Sequence, residues 1–368
     1  MMGLSAAWIG LAGLALGFVA GFATRRSRLC FLGAIESAVV GRDWRRMKVF
    51  GLALATALLL TQALVIFGHF DPTQSSYVPS RIAWLSLVTG SVLFGLGMAL
   101  VGTCAFGSLV RLGGGDLRSL VTLIIFGLAA YAMLRGILAQ PRLATIESIS
   151  FEMPDGITGS IIDFLSRRMP MSATSSRALT TAVIAIPLIA AVIADRRLWR
   201  APRLIAAGLC LGFSVAGGWL VTGVLADEFE SGIRVQSLTF VAPVARALYA
   251  VLLATSEWMD FGVTAVVGVV LGSGFAAFYV DEFRWEAFDD DREMRKHLLG
   301  AVLMGIGGVL AGGCTVGQGL TAGSLMAVSW LITVPGIVFG AYMGLTILVE
   351  GSLREAVVSR IKSRSWQL

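Results

Sequence analysis

The stretch GLGMALVGTCAFG (95–107) returns 210 positions later as GIGGVLAGGCTVG (305–317). Gly95, Gly97, Gly102, Cys104 and Gly107 fall on Gly305, Gly307, Gly312, Cys314 and Gly317. Glycine-rich membrane helices look alike in general, because glycine is common in them and packs them closely. A cysteine at the same place in both frames is more specific than glycine spacing. Two further pairs agree with a duplication. GLALGF (13–18) matches GLCLGF (208–213), 195 positions apart, and SRLCF (27–31) lies against QSLTF (236–240). The last pairing sets Cys30 opposite Thr239.

The context of these motifs is a membrane protein. The 368 residues are 56% hydrophobic and 14% charged, with mean hydropathy +0.82; soluble domains carry about a quarter charged residues. Apolar runs long enough to cross a bilayer as helices recur near 5–23, 49–68, 83–103, 119–138, 180–194, 204–225, 262–280, 297–313 and 325–349. Shorter elements near 29–40, 104–117, 238–255 and 314–324 are too brief or too rich in glycine to span. The expected fold is an all-α polytopic membrane protein of about nine transmembrane helices plus short re-entrant helices. One repeat occupies 1–139 with four crossings, and the second occupies 204–350. Between them, 140–203 holds an outer loop and a linking helix, and 351–368 is a tail. Equivalent helices are separated by five crossings, an odd number, so the repeats run in opposite orientations. Inverted repeats built on broken helices are a recurring plan of transporters.

Charge gives the orientation. The first apolar run has no basic residues before it, and the arginines follow it, which argues for an uncleaved helix with its N-terminus outside. Segments 24–48, 110–118, 195–203, 281–296 and 351–368 then face the cytoplasm and hold 21 of the 29 Lys and Arg. The outer segments 69–81, 140–178 and 226–261 hold 7. The C-terminus is therefore expected inside. The net charge of +6 is accounted for by basic loops at an anionic leaflet, and no nucleic-acid partner is implied. The four cysteines form no CxxC pair, and His69 and His297 have no metal-ligand neighbours in sequence, so no disulfide framework, metal or cofactor is expected.

Non-helical backbone at membrane depth must be buried in protein or line a cavity, since lipid cannot satisfy its polar groups. The glycine clusters 113–115 and 317–323 are therefore expected at re-entrant breaks beside a pathway. Helix N-termini exposed there present N–H groups suited to an anion, and glycine lets a ligand approach the backbone.

The segments GTCAFGSLVRLGGGDLRSL (102–120), GGCTVGQGLTAGS (312–324) and SLTFVAP (237–243) resemble the YeeE/YedE family of bacterial inner-membrane proteins, also called the sulfur-transport family. The resemblance covers nearly the whole chain. It implies an hourglass of inverted repeats whose broken helices meet at a constriction, a bacterial inner-membrane location, and thiosulfate uptake. The family's functional cysteines fall on Cys104, Cys314 and Cys30; Cys210 matches none of them. A neutral thiol in an apolar constriction is a weak donor with a soft sulfur, suited to handing on the soft terminal sulfur of thiosulfate without trapping it.

The expected substrate-binding residues are Cys30, Cys104, Cys314, Gly102, Gly107, Gly313, Gly317, Gln318, Thr239 and Arg111, with no catalytic residue. Several have plainer readings. Cys210 sits in a continuous apolar helix and reads as packing. Arg25, Arg26 and Arg28 read as positive-inside anchors rather than as an anion vestibule. Arg111 and Arg118 are anchors or anion attractors, and Asp116 either caps the helix starting near Leu117 or pairs with Arg118. Gln318 and Thr321 bind anion oxygens or bridge helices. Glu36 is a functional candidate only if it lies at membrane depth. Segment 281–297 reads as a solvated linker or a docking surface for a cytoplasmic sulfur-carrier protein. Import of thiosulfate or a related sulfur anion is thus the leading expectation. The alternatives are a membrane thiol relay that forms a persulfide and passes sulfur to a carrier, and a docking platform for soluble carriers.

Overall fold

Every long apolar run becomes a helix, because in lipid the backbone must satisfy its own hydrogen bonds. The computed structural model describes residues 6–39, 41–153, 159–166, 172–226, 234–253 and 260–350. The first half holds α1 (Ala6–Ser27), α2 (Phe31–Val39), α3 (Arg45–Ile66), α4 (Trp84–Val101), α5 (Ala105–Gly113) and α6 (Leu117–Leu134). The connection carries α7 (Ala139–Ala144), α8 (Ile161–Ser166), α9 (Ala173–Ile193) and α10 (Arg196–Trp199). The second half holds α11 (Pro202–Gly223), α12 (Ala242–Leu253), α13 (Phe261–Tyr279), α14 (Asp291–Leu310), a π-helical turn (Gly317–Ala322) and α15 (Val328–Glu350). Two strands of two residues each, β1 (Arg81–Ile82) and β2 (Phe151–Glu152), pair antiparallel between the loops.

Among the described residues, eight helices are long and apolar enough to cross a membrane. The sequence expectation is about nine crossings, and the difference lies in one helix. The crossing expected at 297–313 falls on α14, whose first two turns carry Asp291, Arg292, Glu293, Arg295 and Lys296 and so dilute its apolar length. The other eight coincide with helices, and the four short expected elements coincide with α2, α5, α12 and the π-helical turn. The tail 351–368 lies outside the described residues.

The helices pack through small residues. α1 lies on α13 and α11, α4 on α14 and α15, α3 on α11 and α9, and α6 on α14 and α12. At the α1–α13 contact a Cβ on Gly17 would stand 2.2 Å from the Ala265 carbonyl oxygen, so the two backbones touch directly. Trp219, Phe94, Phe126, Phe240 and Phe261 fill the centre. Phe213, Phe275, Leu331 and Phe339 point outward and are more than half exposed, as helices facing hydrocarbon require.

Segment 281–290 is not a free linker. At the α5–α6 turn the Gly114 and Gly115 carbonyls accept from the Arg284 and Glu286 N–H groups at 3.2 Å, and Leu117 N–H donates to the Glu286 carbonyl at 2.8 Å. Arg118 then pairs with Asp116 and Glu293 at 3.1 Å, and with Glu286. Asp116 takes both roles open to it: Oδ1 accepts the Arg118 backbone N–H at 3.0 Å as the helix cap and also pairs with the Arg118 side chain.

Candidate functional site

The two cysteine motifs fold alike. α4 ends at Gly102 with φ 76°, and α14 is followed by Gly312 with φ 68°, a left-handed conformation that favours glycine. Two residues later each cysteine opens the next element. The Cys104 sulfur accepts the Gly107 N–H at 3.4 Å, and the Cys314 sulfur accepts the Gly317 N–H at 3.4 Å. The carbonyls of the same cysteines accept from Ser108 at 2.8 Å and Gln318 at 2.7 Å. The Cys104 thiol thus caps α5, and the Cys314 thiol accepts the N–H of the first residue of the π-helical turn. The Val316 and Phe240 N–H groups also face the Cys314 sulfur.

Cys104 is 3% exposed and Cys314 is fully buried. Cys104 lies close enough to both Cys30 and Cys314 to interact with them electrostatically. The buried Thr315 hydroxyl faces the Cys104 thiol and has no partner at ordinary hydrogen-bond distance among the described residues. Cys30 Sγ stands 3.9 Å from the Thr103 hydroxyl. The Phe106 and Phe240 rings lie with centroids 4.9 Å apart, tilted by 30°.

A cavity opens on each side of this cluster. One, of about 500 Å³, ends on Cys30, Thr103 and Gly107 and is walled by Arg25, Arg28, Arg111 and Arg284 with Asp281 and Glu282. The other, of about 560 Å³, ends on Thr239, Gly312 and Gly313 and is walled by Tyr77, Gln236, Arg234 and Arg246. Cys104 and Cys314 belong to neither lining. Sulfur and hydroxyl groups run between them. Cys30 touches Thr103; Cys104 faces Thr315; Tyr77 approaches Thr239 and interacts with Cys314. The Arg28 guanidinium, hydrogen-bonded to Glu282 at 2.6 Å, holds that carboxyl below the usual carboxylate range.

Of the ten residues expected at the site, Cys30, Gly107 and Arg111 line one cavity, Thr239 and Gly313 line the other, and Cys104, Cys314 and Gly317 lie at the cysteine cluster between them. Gly317 stands against Thr239 and Tyr77: a Cβ there would come 2.4 Å from one hydroxyl and 3.0 Å from the other. Arg111 lines the Cys30 cavity and donates to the Gly102 carbonyl at 2.9 Å. Gln318 packs beside Gly312 and Gly313 and lines a further cavity of about 340 Å³ that shares Tyr77 and Gly312 with the Thr239 cavity. Its amide donates to the Ala311 carbonyl at 2.9 Å and accepts from Thr333 at 3.1 Å and Ser329 at 3.3 Å, which ties α14 to α15. Thr321 likewise donates to the Leu238 carbonyl at 2.6 Å. Both make the helix-bridging bonds open to them. Cys210 lines neither cavity, and Glu36 is exposed on α2.

Arg25 and Arg28, read from sequence as anchors, also wall the Cys30 cavity. The sequence reading also passes over Thr103, Thr315, Tyr77 and Arg246. Arg246 carried a usable signal, a lone cation in the apolar helix APVARALYAVLL. It is 8% exposed, donates to Asp260 at 3.2 Å and to Gln236 at 3.0 Å, and lines the Thr239 cavity.

The chain matches the family described as "Sulphur transport" over residues 26–343. It is 25% identical over 332 residues to the thiosulfate transporter TsuA of Escherichia coli (strain K12), covering 86% of this chain and 88% of that protein. It is 27% identical over 336 residues to the thiosulfate transporter TsuA of Spirochaeta thermophila, covering 88% of this chain and 94% of that protein.

Proposed function

The chain belongs to the sulphur transport family, and from that premise we propose that it imports thiosulfate, or a closely related sulfur-containing anion, through the constriction at Cys104 and Cys314. The observation that carries the reading is the pair of cavities closing on one buried row of thiols and hydroxyls. Arg234 and Arg246 draw the dianion into the Thr239 cavity. Neutral thiols and hydroxyls then hand it past Cys314, Cys104 and Cys30 by weak contacts, none deep enough to hold it. Arg25, Arg28 and Arg111 receive it on the far side.

The same reading includes inverted repeats over 1–139 and 204–350, with α14 as a further crossing and the C-terminus cytoplasmic in the bacterial inner membrane. The contacts support it. With α1–α6 set in order on α11, α12, α13, α14, the π-helical turn and α15, the α1–α13 contact answers to α11–α3. In the same way α4–α15 answers to α14–α6, and α2–α15 to α12–α6. A reporter cysteine in the tail that an impermeant reagent labels in intact cells would reverse this orientation.

Thiosulfate carrying label in its outer or its central sulfur, given to a sulfur-auxotrophic host, tests the function. Equal uptake of both labels, competed by thiosulfate above sulfate, sulfite or selenite, is the expected result. Outer-sulfur label retained on the protein, with no uptake of the central sulfur, would replace transport by the thiol relay.

Arg111 offers a narrower test. Arg111→Gln should lower uptake several-fold near 10 mM ionic strength and much less near 150 mM, because screening shortens the field from about 30 Å to about 8 Å. A loss that does not change with salt would assign Arg111 to holding the Gly102 carbonyl alone.

A further inference from the structure

Next to the Cys30 cavity, and sharing Arg25, Arg28 and Glu282 with it, is a concavity of about 230 Å³ where the end of α1, the start of α11 and the end of α13 converge. Arg25, Arg26, Arg28 and Arg203 line it with a single acid, Glu282, over a floor of Ala276 and Val280. Arg28 is neutralised by Glu282 at 2.6 Å. Arg25 donates to the Glu282 carbonyl at 3.3 Å, and its buried Nε has no hydrogen-bond partner among the described residues. Arg26 and Arg203 have no carboxylate partner among the described residues. Positive charge is therefore concentrated here beyond what the protein itself balances.

An apolar feature leads into the same place. Phe18, Phe22 and Arg26 follow at spacings of four on one face of α1, as do Phe275 and Tyr279 on α13. The rings of Phe18, Phe22 and Phe275 cluster with centroids 5.9–6.5 Å apart. Phe275 is 57% exposed and Tyr279 71% exposed, and the Arg26 guanidinium lies 5.6 Å over the Tyr279 ring. An aromatic track along the lipid-facing surface thus ends among guanidinium groups. Arginines that serve only as topological anchors need not converge on one concavity or sit at the end of such a track.

We propose that this pocket binds one anionic phospholipid, its phosphate among Arg26, Arg203 and Arg25 and an acyl chain along Phe18, Phe22 and Phe275. Guanidinium groups suit phosphate oxygens, and basic pockets between transmembrane helices are where anionic headgroups lodge. The bound lipid would fasten α1, α11 and α13 together at one leaflet. The inference does not depend on which anion the protein carries.

The full-length chain purified in mild detergent provides the test. Dioleoylphosphatidylglycerol should raise the melting temperature by several degrees and persist as an adduct in native mass spectrometry, whereas dioleoylphosphatidylcholine should do neither. The Arg26→Gln, Arg203→Gln variant should lose phosphatidylglycerol affinity by roughly fivefold or more. The Arg26→Lys, Arg203→Lys variant, which keeps both charges, should retain the preference for phosphatidylglycerol. Equal effects of the two lipids, undiminished binding by the glutamine variant, or lost preference in the lysine variant would each overturn the proposal. Inorganic phosphate that stabilises as well as phosphatidylglycerol would overturn it too, by making the pocket a site for soluble anions.

Discussion

Alanine at either Cys104 or Cys314 should cut thiosulfate uptake by at least about tenfold in protein that still reaches the membrane, since tenfold corresponds to about 1.4 kcal/mol on the barrier. Each thiol sits between the two cavities with amide N–H groups behind it and a hydroxyl or second thiol nearby. A methyl group offers the passing anion no donor at a place where water cannot reach to replace it. Serine keeps a donor but not the soft sulfur, so Cys104→Ser and Cys314→Ser should recover part of the rate. Cys30→Ala should be milder, because Cys30 lies at a cavity end and is partly exposed. Cys210→Ala should be near neutral. The decisive measurement is initial uptake normalised to membrane protein. A well-expressed Cys104→Ala, Cys314→Ala double variant with normal uptake would leave both cysteines as packing residues and remove the thiol path.

Leucine at Gly17 should be equally severe by a different route. A Cβ there would stand 2.2 Å from the Ala265 carbonyl oxygen, well inside van der Waals contact, and the obstacle is backbone that no rotamer change can move. α1 and α13 would have to separate along their length. Overpacking a tight contact costs about 1–3 kcal/mol and occasionally more, a large part of a stability of order 5–15 kcal/mol. The expected result is a several-fold loss of monodisperse protein in detergent gel filtration. Gly319→Ala provides the contrast, since a Cβ at Gly319 would meet nothing within 4 Å. Its yield should match that of the unaltered chain. Equal yields for Gly17→Leu and Gly319→Ala would mean that α1 and α13 do not meet as described.

Much of this molecule could be read before folding. Apolar length alone located nine runs, eight of which are helices long and apolar enough to span, because a bilayer demands continuous helix and leaves few other conformations. The repeated cysteine motif located two helix ends, since a left-handed residue favours glycine and each cysteine sits two residues beyond one. Charge was less informative about direction. Basic residues beside a membrane helix satisfy the positive-inside rule wherever they point, so Arg25 and Arg28 looked like any other anchors. The mixed-charge run at 281–297 reads as solvated, and its first ten residues are largely exposed, but nothing in its charge pattern showed that its backbone closes the α5–α6 turn.

By itself, then, the sequence determined the class, the helix lengths, the breaks at Gly102 and Gly312 and the places of the thiols, all of which follow from local composition and the demands of lipid. The tertiary structure decided the partners. It directed Gln318 to Ala311 and Thr333, joined Arg246 to Asp260 and Gln236, and set Thr315 against Cys104. Those choices depend on how far each helix is rotated about its axis. That rotation is fixed only when helices from distant parts of the chain pack together, with glycine allowing backbones such as those of α1 and α13 to touch.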